Sequence, residues 1–85
     1  MNIGDTLYTV TENLKHEYIA TPWKVGAIDN GSTDPIYHFY NENEKLLLML
    51  SESEIESRLD VKRMFLTLDD AEAAIASNTF GREDI

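Results

Sequence analysis

The sequence predicts a small, mostly β member of the α+β class: a small β-barrel or a bent five-stranded antiparallel sheet, with one helix at its C-terminal end. Three observations lead there. Short runs rich in β-branched and aromatic residues recur along the chain, separated by clusters of Asp, Asn, Gly and Ser. One stretch, from Thr67 onward, joins a capping signature to helical spacing of its apolar residues. The chain has 85 residues, enough for one compact core and little more, because a domain of this size buries only roughly 60–65% of the surface its unfolded chain exposes. Residues 1–80 are therefore read as a single domain, and Gly81 to Ile85 as a mobile tail.

The elements follow in order. Gly4-Asp5 opens into Thr6–Thr11, where Tyr8 and Val10 share one face and Leu7 and Thr9 the other. Asn13 to Thr21 is ambiguous: Tyr18-Ile19-Ala20 suits a strand, but Pro22 suggests an edge position or a break. Trp23–Ile28 is the second strand, closed by the turn signal Asp29-Asn30-Gly31-Ser32. Pro35 introduces the third, Ile36–Tyr40, and Asn41-Glu42-Asn43-Glu44 forms a polar hairpin to the fourth, Lys45–Leu50. That fourth strand is apolar on both faces, which predicts a central place in the sheet or a cover on its outer side. Arg63–Leu66 is a short last strand leading into the helix. There Thr67 can cap the amide of Asp70 and Asp70 can reach back to the amide of Thr67. Asp69, Asp70 and Glu72 suit the positive end of the helix dipole. Leu68, Ala71, Ala74 and Ile75 make an apolar stripe to bury against the sheet, Asn78 is a natural stop, and Phe80 is placed to fold back on the last turn.

The Gly4-Asp5 opening, the Trp23-x-Val25 strand, the polar hairpin and the run Met64-Phe65-Leu66-Thr67-Leu68-Asp69-Asp70-Ala71-Glu72-Ala73-Ala74 together resemble a loose group of small SH3-like barrel proteins found in bacterial phages and mobile elements. Members of that group typically end in Phe-Leu-Thr-x-Glu-Glu-Ala-x-x-Ala and a short helix. Asp69 and Asp70 stand here for the usual acidic pair. The resemblance is specific over Phe65 to Ala74 and implies an SH3-like barrel and a mobile-element setting. It assigns no functional residue, because those positions build a strand-to-helix junction.

Composition narrows the function classes. With no cysteine, disulfides, thiolate catalysis and Cys-based metal or cluster sites are excluded. Met1-Asn2-Ile3-Gly4-Asp5 carries neither a basic nor an apolar signal region, and the longest apolar run, Leu46 to Leu50, is too short to cross a bilayer. A cytoplasmic protein is expected. Sixteen acidic against seven basic residues give a net charge of −9. That field opposes direct binding to nucleic acid or to an anionic membrane and attracts a basic partner.

No catalytic or metal site and no cofactor is predicted. His16-Glu17 and His38 lack any spacing that would fix a coordination geometry. Ser32, Ser51, Ser53, Ser57 and Ser77 have no adjacent base, and Gly26 and Gly31 belong to no phosphate-cradling motif. Two surfaces remain. Glu52, Glu54 and Glu56 alternate with Ser51, Ser53 and Ile55. On a strand they would line one face about 6.8 Å apart, comparable to the spacing of phosphates along a nucleic-acid strand. On a helix only Glu52 and Glu56 would stack. Glu42, Glu44 and Asp60 could extend the same field, and a merely solvating role is the simpler account of such acids. The other surface is aromatic, with Trp23, Tyr37 and Tyr40 as its members. Tyr37 and Tyr40 point to opposite sides of their strand, so a one-sided core cannot bury both.

The reading that joins charge and resemblance is a non-enzymatic protein-binding module. Concretely, it is a phage or mobile-element inhibitor, anti-CRISPR-like, docking an acidic face on a basic, nucleic-acid-binding host protein. A small regulatory or housekeeping domain that binds a peptide through the aromatic surface is the alternative. A second alternative is an enzyme or ligand-binding protein whose site assembles only in three dimensions. Monomer and homodimer are both compatible with the sequence.

Overall fold

The computed structural model describes residues 1–43 and 45–80; Glu44 and the expected tail 81–85 lie outside the described residues. In chain order the elements are β1 (Thr6–Glu12), β2 (Tyr18–Asp29), β3 (Ile36–Asn41), β4 (Leu46–Ser51), α1 (Glu52–Asp60), β5 (Met64–Phe65) and α2 (Leu68–Ser77). The strands form one antiparallel sheet in the order β4-β3-β2-β1-β5. β4 and β5 stand at its two edges without pairing to each other, so the sheet is open and does not close into a barrel. α1 bridges those two edge strands, while α2 packs on β1, β2 and β5.

Two corrections to the sequence reading follow. The described residues contain two helices where one is expected, because Glu52–Asp60 coils into α1. The alternating Ser-Glu-Ser-Glu run reads as a strand, but it is also a capping box. The Ser51 hydroxyl accepts the Glu54 amide at 3.2 Å and the Glu54 carboxylate accepts the Ser51 amide at 3.3 Å. Asp34 adds a second anchor by accepting the Ser53 amide at 3.1 Å. Together they satisfy amide groups that a helix start leaves without partners.

The second correction is at Pro22, which neither breaks β2 nor confines it to an edge. Backbone bonds from Val25 to the Asp5 carbonyl and from Gly4 to the Val25 carbonyl set the phase of the β1–β2 ladder. Residues 21, 23 and 25 thus turn their peptide groups toward β1, and Pro22 turns its ring nitrogen the other way. On that side β3 pairs with β2 only as far as Lys24, opposite Tyr40. The missing N–H therefore falls beyond the end of the neighbour, and the Pro22 carbonyl accepts the buried Asn41 side-chain amide at 3.0 Å.

The sheet carries a core on each face. One joins Leu7, Trp23, Val25, Tyr37, Phe39, Leu50 and Met64 to Ile55 of α1, with Ile28, Leu48 and Leu59 packed against them. The Trp23 indole also donates to the Thr9 hydroxyl at 2.9 Å, which satisfies its one polar atom. The other, smaller core sets Ala71 and Ala74 of α2 on Phe65, Tyr8, Val10 and Ala20. Small alanines let α2 sit close to the strands. Leu68, expected in this stripe, stays exposed.

At the start of α2 the Thr67 hydroxyl accepts the Asp70 amide at 3.1 Å. Asn78 ends the helix in the left-handed region at φ 57°, and Phe80 returns to pack its ring, tilted by 59°, against Tyr18 with centroids 5.0 Å apart. Gly26 interrupts the β2–β3 register between Val25 and Ala27. A β-carbon there would stand 3.0 Å from the Tyr40 ring, so only glycine permits this approach without displacing the ring.

Candidate docking face

α1 positions the acidic residues. Its fastening to the sheet is apolar, with Ile55 buried and Leu59 packed against the same core. A helix turns 100° per residue, so residues four apart fall into a slowly drifting row along one side. Glu52, Glu56 and Asp60 occupy such a row and all three are exposed. Successive members are displaced about 6 Å along the axis. Glu54 lies on the other flank and is engaged in the capping box. Of the two arrangements the sequence leaves open, the helical one is present: Glu52 and Glu56 align, Asp60 continues their row, and the strand-like line of Glu52, Glu54 and Glu56 does not form.

The remaining acidic candidates are separated from that row. Glu42 sits in the turn before β4, at the opposite end of that strand from Glu52. Six residues of extended chain place it about 20 Å from the helix start. Glu44 is outside the described residues. Asp34, which the sequence reading passed over, lies beside the row but faces the amides at the head of α1. Its proximity to Ser51–Ser53 comes only from the pairing of Ile36 with Ser51, a long-range contact with no local signature.

Hydrogen bonds from the Ser53 amide and then the Ser53 hydroxyl hold the Asp34 carboxyl below its ordinary value of 3.8, with Ser51 and the Glu52 amide assisting against a small desolvation penalty. A carboxyl more acidic when folded stabilises the fold above its unfolded pKa and loses that contribution as pH falls through the folded one. Acid unfolding followed by Trp23 fluorescence should therefore differ between wild type and Asp34→Asn. The variant is expected to be less stable near neutrality and to lose less stability below about pH 4.

The row runs against the local physics of the helix. Glu52–Glu56 and Glu56–Asp60 are like-charge pairs at i,i+4, each costing about 0.2–0.5 kcal/mol. Asp60 also stands in the last turn, where the helix dipole favours a cation. Arg58 is the basic residue in that last turn. Solubility alone could be served by acids placed anywhere on the surface.

The aromatic candidates are split by the sheet. Trp23 and Tyr37 are buried in the α1-side core, and only Tyr40 reaches the opposite face. An aromatic docking surface built from all three is thereby removed. His16 lies in the β1–β2 turn and His38 in β3 opposite Ala27, so they do not meet. No three His, Asp or Glu side chains among the described residues converge as metal ligands would. No helix among them is long and apolar enough to cross a membrane.

Comparison with protein-family models, with curated proteins and with solved structures finds no match. The geometry therefore carries the functional argument.

A feature missed from sequence lies on the other side of the sheet. α2 covers only the β1, β2 and β5 part of that face. Beyond it β4 stands uncovered at the edge, with Leu47 84% and Met49 60% exposed. The expectation that β4 is central or covered is thus reversed. The uniformly apolar run Leu46–Leu50 does not tell inward Leu48 and Leu50 from outward Leu47 and Met49, and the strand's place in the order has no local signature.

Proposed function

We propose that this domain is a non-enzymatic protein-binding module that docks the acidic flank of α1 on a basic surface of its partner. The observation that carries the reading is the alignment of Glu52, Glu56 and Asp60 along one side of a helix that each of the two later charges destabilises. Steps of about 6 Å suit a row of Lys or Arg side chains that otherwise meets successive phosphates. A nucleic-acid-binding protein is accordingly the partner class, with the domain competing for the groove that nucleic acid would occupy. The net charge of −9 steers such an encounter. Size, charge and the Phe65–Ala74 resemblance support a phage or mobile-element inhibitor of the anti-CRISPR kind, acting in the cytoplasm, as the biological form of this activity.

The test is affinity capture followed by titration against the captured protein. Wild type should retain a basic nucleic-acid-binding protein at low salt and release it toward physiological ionic strength. Reversal at Glu52→Lys, Glu56→Lys and Asp60→Lys should weaken Kd by about tenfold or more per charge. Glu42→Lys, a strand's length away, should change it little. Undiminished binding by the triple variant would sink the reading.

A further inference from the structure

β4 is an edge strand without the devices that normally protect an edge. From Leu46 to Ser51 it has no charge, no proline and no bulge, and Leu46, Leu47 and Met49 are exposed, the last two on the outward face. The direction of its free main-chain groups follows from the ladder. The Glu52 amide donates to the Pro35 carbonyl, and the pairs Tyr37–Leu50 and Phe39–Leu48 lie two and four residues further along. Residues 48 and 50 thus turn their peptide groups to β3, and Leu47 and Met49 turn theirs to the open edge.

We propose that β4 pairs antiparallel with β4 of a second copy of this chain, about a two-fold axis through Leu48, joining two five-stranded sheets into one. Leu47 then exchanges both hydrogen bonds with the partner subunit's Met49, and Met49 with the partner subunit's Leu47. The register is the one that satisfies every free edge group of the strand. It also sets Leu48 against its own symmetry mate on the core side.

Complementarity of the strand with itself, in its register and at its charged ends, points to a second copy as the occupant. Two chains of −9 repel wherever their acids meet, and the Leu46–Ser51 edge is a stretch without acids. At its ends the same register places Lys45, exposed in the preceding turn, opposite the partner subunit's Ser51, beside the head of α1 with Glu52 and Glu54. The axis makes that contact twice. α1 leaves β4 toward β5 and so does not obstruct the edge. The main-chain pairing does not rest on the proposed docking role of the α1 flank, with which it shares Glu52 alone.

Sedimentation equilibrium and amide exchange test the pairing on the whole chain. Wild type should pass from monomer to dimer between about 1 μM and 1 mM, and the Leu47 and Met49 amides should gain protection as it does. Met49→Pro, which removes an amide that β3 does not use, should weaken the dimer at least about a hundredfold. Leu47→Glu with Met49→Glu should do the same by like-charge repulsion, which covers the case of a proline that disturbs folding. Lys45→Glu should weaken it about tenfold and Lys45→Glu with Glu52→Lys should restore it. A chain monomeric at 1 mM, a dimer in which the Leu47 and Met49 amides stay unprotected, or a dimer indifferent to both edge variants would each overturn the proposal.

Discussion

Phe39→Ala is expected to bring the domain to the edge of unfolding. Phe39 is 1% exposed at the centre of the larger core, on β3 between Val25 of β2 and Leu48 of β4, with Tyr37 beside it. Those neighbours belong to paired strands and cannot collapse inward without breaking a ladder. The cavity therefore stays, and the cost should be about 3–5 kcal/mol. For a chain of this length the whole stability is on the order of 4–13 kcal/mol. Urea denaturation should show the midpoint lowered by roughly 2–4 M with its slope unchanged. Phe39→Leu, which fills most of the space, should cost less than about 1.5 kcal/mol. A small shift for Phe39→Ala would mean that the two layers relax independently around it.

Ala71→Leu is expected to act differently, by lifting one helix while the sheet stays folded. Ala71 is fully buried where α2 rests on the sheet, and no exposed direction is open to a longer side chain. Overpacking at such a point costs about 1–3 kcal/mol. The α2-side core is small, with Phe65, Ala71 and Ala74 as its buried members. Much of the strain can therefore be relieved by local opening of α2. Amide exchange in α2 should quicken by roughly 5–150-fold, the factor matching that energy, while Trp23 in the other core keeps its folded fluorescence. Simultaneous loss of both signals would show that the layers unfold as one.

These outcomes bear on how much of the molecule was readable beforehand. β3 was legible because its burial alternates, one face meeting a core and the other not, and β1 because its β-branched and aromatic residues supply a core on each side of the sheet. The Thr67 start and Asn78 stop of α2 were legible because capping is local chemistry. α1 stayed ambiguous because Ser51 to Glu56 alternates like a strand while also carrying a capping box. Ile55 and Leu59, four apart and both turned to the core, were the deciding signal. Pro22 misled for another reason: whether a missing N–H matters depends on where the neighbouring strand ends, a long-range fact. The same limit hid the position of β4. The acidic residues were visible as a composition, but their sorting into Glu52, Glu56 and Asp60 required the helix.

The two-residue strand β5 has a consequence for the kinds of change this chain can accommodate. Met64 is buried in the core beneath α1 and Phe65 in the core beneath α2, on opposite sides of one peptide bond. Insertion or loss of a single residue in the segment 61–63 would exchange them, pressing the wrong shape into each cavity at once. Substitutions in that segment change what solvent meets; a change in its length changes which core each side chain enters. In descendants of this sequence the 61–63 spacer should vary in identity and hold its length.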